Sequence, residues 1–303
     1  MKFSVFTAST PEWTPEQAVT ELAAQGWDGI EWRVVDQPAS PDGRPGFWAG
    51  NLATVPLTGL EEEVSRLRAL TEAAGLEVSG VGGYAPCNRH DDVERLLAAT
   101  SALGASQLRI VVPALGHVGW GGQPPTGGDY PELFARARED FRWVAERAAA
   151  QGVKALVELH HMTLTSSASA AMRLLDGLDP AHVGVIHDLG NLQVEGFEDH
   201  LAAFQLLGPY LAHVHVKNGA WFRDDAADGD EFATATWHHA WTPVNEGMHS
   251  VVEYLRTLTQ HGYDGWITLE DFSTARPLAD RTAFNLAYMR RALQEAQALE
   301  GAA

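Results

Sequence analysis

Ala24-Gln25-Gly26-Trp27-Asp28-Gly29-Ile30-Glu31 and Gln260-His261-Gly262-Tyr263-Asp264-Gly265-Trp266-Ile267, near opposite ends of the chain, read as two versions of one connection. In each, a glycine closes a helical stretch, where a positive φ is needed. An aromatic residue then covers the helix end, and an Asp-Gly turn leads into a β-rich run. A helix-to-strand joint used twice points to a repeating α/β architecture.

Working outward from these joints, β-rich runs fall at Lys2–Ala8, Gly29–Val34, Leu76–Gly82, Gln107–Pro113, Ala155–His161, Val183–Gly190, Leu211–Lys217 and Trp266–Phe272. Segments with helical spacing lie between and after them: Thr14–Gln25, Gly59–Ala74, Asp92–Leu103, Tyr130–Ala150, Ser167–Leu178, His200–Leu207, Ser250–His261 and Leu278–Leu299. Strict alternation predicts a parallel sheet. Eight repeats with no element left over predict a closed α/β (β/α)8 TIM barrel, a single domain spanning residues 1–303; an open doubly wound sheet is the alternative. Three strand-to-helix connections are long, at Asp36–Thr58, Ala114–Asp129 and Asn218–His249. In a barrel such loops crowd the C-terminal face, where active sites form.

The composition narrows the function. Forty acidic side chains stand against 21 basic ones, for a formal charge of −19. That field repels a phosphate backbone and an anionic bilayer, so neither nucleic acid nor membrane is expected as a partner. The one cysteine, Cys87, cannot form an internal disulfide or a cysteine metal cluster. Neither a signal-peptide core nor a membrane span is legible, and the chain reads as soluble and cytoplasmic.

Alternation along a strand sorts its side chains into two rows. Glu158 and His160 share a row against Val157 and Leu159, and His213, His215 and Lys217 share one against Val214 and Val216. Glu270 stands opposite Ile267 and Leu269, and Glu31 and Arg33 stand opposite Ile30 and Trp32. The apolar rows would pack on helices, leaving the polar rows inside the barrel near the strand ends. Buried carboxylates without enough cations to pair them are costly, and a divalent ion resolves the conflict. Glu158, Asp188 and Glu270 offer oxygen ligands and His215 one nitrogen. This set favours Mn²⁺ or Mg²⁺, with Co²⁺ or Zn²⁺ as alternatives, Mn²⁺ being the first choice.

Four segments carry a family resemblance: Val157-Glu158-Leu159-His160-His161, Ile186-His187-Asp188-Leu189-Gly190-Asn191, His213-Val214-His215-Val216-Lys217-Asn218 and Ile267-Thr268-Leu269-Glu270-Asp271-Phe272. Through them nearly the whole chain resembles the sugar phosphate isomerase/epimerase family, the xylose-isomerase-like barrels. The resemblance implies one metal ion on the matching Glu158, Asp188, His215 and Glu270, and proton transfer at a substrate carbon by Glu158 and Glu270. Two departures stand out: many relatives have His at the position of Asn191, and Asp at that of Asn218.

Other residues have two readings each. His160 is a general base or a hydrogen-bond partner of the ligands. Lys217 binds substrate or stabilises an enolate, or else forms an ion pair with an inward acid. Arg33 and Arg109 hold substrate oxygens or neutralise Glu31, the second role being preferred for Arg109. Asn191 is a substrate-contact candidate. Trp120, Trp221, Trp237 and Trp241 either contact a sugar, as is expected of Trp120, or pack loops. His238, His239 and His249 lie in the last long loop within weaker reach of the site. His213 reads as a satisfied core residue, His161 and His187 as members of the outward row, and Asp224–Glu231 as a solvated loop.

The expected activity is isomerisation or epimerisation of a small-molecule sugar or polyol ketone. A divalent ion polarises the carbonyl, and a glutamate or histidine removes the neighbouring proton to give an enediolate. The alternative is a lyase performing β-elimination on an oxidised sugar, such as a 3-oxo-glycoside or an inosose. The chain also resembles the barrel subunits of C-glycoside-cleaving lyases, which implies a small β-rich partner subunit; a homo-oligomer is expected by analogy alone. A related apurinic DNA endonuclease would need more histidine ligands and a basic face. A non-catalytic barrel would be expected to lose part of the ligand set.

Overall fold

The computed structural model describes residues 1–115, 127–196, 198–224 and 234–300. Eight parallel strands close into a barrel: β1 (Lys2–Phe6), β2 (Gly29–Val34), β3 (Glu77–Pro86), β4 (Gln107–Val111), β5 (Lys154–Glu158), β6 (Val183–Asp188), β7 (Leu211–Val216) and, after a hairpin of β8 (Asn218–Arg223) and β9 (Trp237–Thr242), β10 (Trp266–Leu269). Strand β1 closes the ring by pairing with both β2 and β10. The (β/α)8 barrel expected from the alternation is the fold, and the open sheet is excluded.

The main outer helices are α1 (Pro15–Gln25), α2 (Leu60–Ala73), α3 (His90–Ala102), α4 (Tyr130–Gln151), α5 (Ala168–Leu175), then, after the single turn α6 (Leu192–Glu195), α7 (His200–Leu207), α8 (Val251–Gln260) and α9 (Leu278–Glu300). Four of these starts are capped by side chains. Thr14 caps α1 in a reciprocal box with Gln17, and the side chains of Ser167, Asp199 and Ser250 accept N–H groups of α5, α7 and α8.

The repeated joint works through the same backbone at both ends of the chain. Gly26 and Gly262 take φ of 88° and 80°, a region that costs other residues a clash at Cβ. Trp27 is buried over its helix end and Tyr263 half-buried over the other. The aspartates diverge: Asp28 Oδ2 accepts the N–H of Phe3 at 2.8 Å, whereas Asp264 pairs with the amino terminus.

The outward rows Ile30, Trp32; Leu108, Ile110; Ala155, Val157; Val183, Val185; Val214, Val216 and Ile267, Leu269 are buried in the layer between strands and helices. A second, smaller apolar group, Phe6, Ala8, Tyr84, Val111 and Phe272, sits with Phe47 and Trp241 packed on it. Six strands stop short of their predicted ends, β1 at Phe6, β4 at Val111, β5 at Glu158, β6 at Asp188, β7 at Val216 and β10 at Leu269, because the chain there bends out to the loops. The helix predicted to Leu178 ends at Leu175, and β3 runs on to Pro86. Among the described residues no helix is long and apolar enough to cross a membrane.

Candidate metal centre and its cleft

Glu158, Asp188 and His215 come from β5, β6 and β7, Glu270 directly follows β10, and all four are buried. One ligand atom from each lies within 4.8 Å of the others. His215 Nδ1 stands 3.4 Å from Glu158 Oε1, 3.7 Å from Asp188 Oδ2 and 3.8 Å from Glu270 Oε2. Its other nitrogen, Nε2, is 3.0 Å from Glu31 Oε2, and Phe6 stacks on the ring at 5.7 Å.

The expectation that the inward carboxylates lack cations needs correction. Arg109 Nη1 donates to Glu158 Oε2 at 2.7 Å. Lys217 Nζ donates to Asp188 Oδ2 at 2.7 Å and to Glu270 Oε2. Arg109 therefore does not neutralise Glu31, which lies instead 3.0 Å from the Nε2 atoms of both His213 and His215. Counted with all four carboxylates Glu31, Glu158, Asp188 and Glu270 ionised and the histidines neutral, as His215 must be to bind an ion, Arg109 and Lys217 would leave a charge of −2. A dication matches that residue of charge, which burial makes expensive to leave bare. Without an ion, burial opposes protonation of His215, but Glu31, Asp188 and Glu158 raise its ring well above the usual imidazole range.

The charges respond to this crowding. Burial would raise the Glu158 carboxyl, but Arg109 and His215 hold it well below the usual carboxylate range. Burial acts against Asp188 in the same way, and Lys217 brings it down. Glu270 goes the other way, up to about 7, because burial outweighs the pull of Lys217. Burial also pushes His160 down to about 3, against the opposing pull of Glu158, so its ring is neutral.

The donor set fits a divalent ion on two observations. His215 Nδ1 is buried, faces three carboxylates and makes no hydrogen bond. The Asn191 N–H holds Asp188 Oδ1 at 2.8 Å, which orients that carboxylate in the group. Three oxygens and one imidazole nitrogen suit Mn²⁺ or Mg²⁺ better than a thiophilic ion.

Above this centre opens a cleft of about 720 Å³ lined by Arg33, Trp48, His160, Lys217, Trp241 and Phe272 among others. Asn191 also lines it; its Nδ2 donates to Glu158 Oε1 at 3.3 Å, and its buried Oδ1 has no partner. Arg33 is held by Phe47 O at 3.0 Å and Thr54 Oγ1 at 2.9 Å, and lies over Trp48 and Tyr84. His160 Nδ1–H donates to His161 O at 2.7 Å, and its ring stacks on the His161 ring.

Several expectations shift with these placements. His161 lines the cleft and is not on an outward row, because β5 has ended and alternation no longer holds. His187 is outward and buried, with Nδ1 2.7 Å from the Tyr254 hydroxyl. His213 is a buried core residue whose Nε2 has Glu31 and Thr268 as partners, but its Nδ1 makes no hydrogen bond, so it is satisfied at one nitrogen only. Trp221 does not face the cleft; its Nε1–H donates to Gln193 O at 2.9 Å. Trp237 is exposed at the end of the hairpin, and His238 pairs with Asp224 at 2.6 Å. Trp120 and residues 225–231 of the acidic run lie outside the described residues. The hairpin, α6 and the cleft walls Trp48 and Tyr84 were not anticipated; a Gly- and Pro-rich loop carries no periodic signal for the hairpin or Trp48, α6 is a single turn, and Tyr84 lies in β3 beyond its predicted end.

Asn218 accounts for one departure from the family pattern. Its Nδ2 donates to Val244 O and His249 O, both at 2.9 Å, while its Oδ1 accepts from Gln193 Nε2 at 2.9 Å. A carboxylate could not donate at either carbonyl.

Residues 19–300 match the family described as Xylose isomerase-like TIM barrel. The chain belongs to that family. Within curated proteins it is similar to an inosose dehydratase of Bacillus velezensis, 29% identical over 125 residues, or 39% of this chain and 42% of that protein. Such matches span about half the length of the curated relatives. Among solved structures it is similar to 3-keto-D-glucoside 4-epimerase from E. coli, with a TM-score of 0.70, 17% identity and coverage of 96% and 99% of the two chains. It is also similar to a xylose isomerase-like TIM barrel protein from Mycobacterium smegmatis in complex with magnesium, with a TM-score of 0.68, 19% identity and 97% coverage of each chain. Xylose isomerase-like barrels thus share this chain's architecture throughout its length.

Proposed function

We propose that this xylose isomerase-like barrel is a divalent-metal-dependent isomerase or epimerase of a sugar or related polyol ketone. The observation that carries the reading is the buried group Glu158, Asp188, His215 and Glu270, with the unbonded His215 Nδ1 facing its three carboxylates under an open cleft. When bound, a divalent ion, Mn²⁺ by preference, polarises the substrate carbonyl and acidifies the adjacent C–H. Glu158 and Glu270 are placed on different strands to take the proton from that carbon and return it. Return to the opposite face gives an epimer, and return to the neighbouring carbon gives the aldose–ketose isomer. Lys217, beside both Asp188 and Glu270, carries the positive charge that an enediolate oxygen needs. Asn191 Oδ1 accepts a substrate hydroxyl, and Arg33 binds an oxygen at the far wall.

A second reading, β-elimination from an oxidised sugar, is favoured by the inosose dehydratase relatives and by the His160–His161 pair beside Glu158 at the cleft. Glu158 would then remove the proton beside the carbonyl. Glu270, whose carboxyl is raised to about 7, would give one to the departing hydroxyl, with neutral His160 accepting a hydrogen bond from the substrate.

Proton NMR in D₂O separates these readings. Mg²⁺-loaded and EDTA-treated protein would be incubated with free ketoses, inososes and 3-oxo-glucosides. Metal-dependent deuterium uptake with an intact carbon skeleton supports the isomerase or epimerase. Metal-dependent loss of water or an aglycone favours the lyase, and absence of both from a metal-binding protein across the panel sinks the first reading.

A further inference from the structure

Glu31 lies outside the four proposed ligands, yet its carboxylate is the buried group best placed to control them. Its Oε2 is 3.0 Å from His215 Nε2 and 3.0 Å from His213 Nε2. His213 Nε2 is also 2.8 Å from Thr268 Oγ1, which is 2.6 Å from Ser4 Oγ. A chain of polar contacts therefore crosses the barrel interior through β1, β10, β7 and β2. Room for it comes from β3: a Cβ on Gly82 would fall 2.2 Å from the Phe6 ring and 3.3 Å from Glu31 Oε1.

A carboxylate accepts and cannot donate, so the Glu31 contact requires a proton on His215 Nε2. Neutral imidazole then has its lone pair on Nδ1, the nitrogen that faces Glu158, Asp188 and Glu270. The Phe6 ring, stacked 23° from parallel, limits rotation of the imidazole plane. We infer that Glu31 is a positioning residue that fixes His215 as its Nε2–H tautomer and so makes Nδ1 the metal-binding nitrogen. The inference rests on the proposed metal centre. Glu31, His213 and His215 could by themselves also be read as a second cation site. The 3.0 Å spacings are hydrogen-bond distances, and occupation of Nε2 by an ion would remove the proton that Glu31 accepts.

The test uses EDTA-treated full-length protein and Mn²⁺ titrated by calorimetry, with wild type, Glu31→Gln and Glu31→Asp compared. Nitrogen-15 spectra of the wild-type histidines in the Mg²⁺-loaded state add a readout that needs no variant. The inference expects one ion per chain, a 10–100-fold loss of Mn²⁺ affinity in Glu31→Gln, and His215 protonated at Nε2 alone. Unchanged affinity in folded Glu31→Gln and Glu31→Asp overturns it, as does a His215 protonated at Nδ1 in the loaded protein. Two ions per wild-type chain overturn it in favour of the second site. Wild type that binds no ion removes the metal centre itself, a failure distinct from the others.

Discussion

Arg109 and Glu158 meet inside the barrel as a buried ion pair, Nη1 donating to Oε2 at 2.7 Å. Deleting one member of such a pair strands the other charge, at a cost of about 3–5 kcal/mol. Arg109→Met should therefore lower stability of the metal-free protein by that order in urea denaturation. Saturating Mn²⁺ should recover part of the loss, because the ion takes over compensation of Glu158. A loss under about 1 kcal/mol would show that the pair is not the support that its burial implies.

Asn218 is used by its neighbours as donor and acceptor at once. Asn218→Asp keeps the shape and removes both donated hydrogen bonds, leaving the carbonyls of Val244 and His249 facing a carboxylate. Each buried carbonyl so deprived costs about 1–3 kcal/mol. The expected outcome is a lower thermal midpoint and faster proteolysis within residues 218–249. An unchanged midpoint would mean that water replaces the amide without loss.

His249 gives the stability a pH dependence with a defined sign. Burial, assisted by nearby His200, lowers its ring to about 4, against about 6.5 in an unfolded chain. Between those values the unfolded state binds more protons, so stability rises with pH through the window. The contribution is fully present above about pH 6.5 and is lost as pH falls through about 4. Thermal midpoints of EDTA-treated wild type and His249→Gln, taken from pH 7.5 to 4.5, should converge as the pH falls. Parallel profiles would contradict the assignment.

The fold was legible because its signals are local and repeated. Gly26 and Gly262 mark two helix ends, and the apolar rows of β2, β5, β7 and β10 keep period two where the strands are regular. The four residues of the proposed centre share that legibility, since three end or lie within strands and Glu270 directly follows β10. His161 was misread because alternation was carried beyond the point where β5 stops. Arg109 was assigned to Glu31 because both sit on inward rows, and only the closure and stagger of the barrel decide that its partner is Glu158. Trp48 and the β8–β9 hairpin depend on long loops, whose paths are set by tertiary contacts that no short period reports, and Tyr84 lies in the part of β3 beyond its predicted end.

The central claim is that one divalent ion binds at Glu158, Asp188, Glu270 and Nδ1 of His215. Pulsed EPR of the Mn²⁺-loaded protein tests it most directly, by counting histidine nitrogens coupled to the ion. The account predicts coupling to a single ¹⁴N, absent from residual bound Mn²⁺ in His215→Gln. Wild-type Mn²⁺ with no coupled histidine nitrogen, or a coupling that survives in His215→Gln, would contradict it.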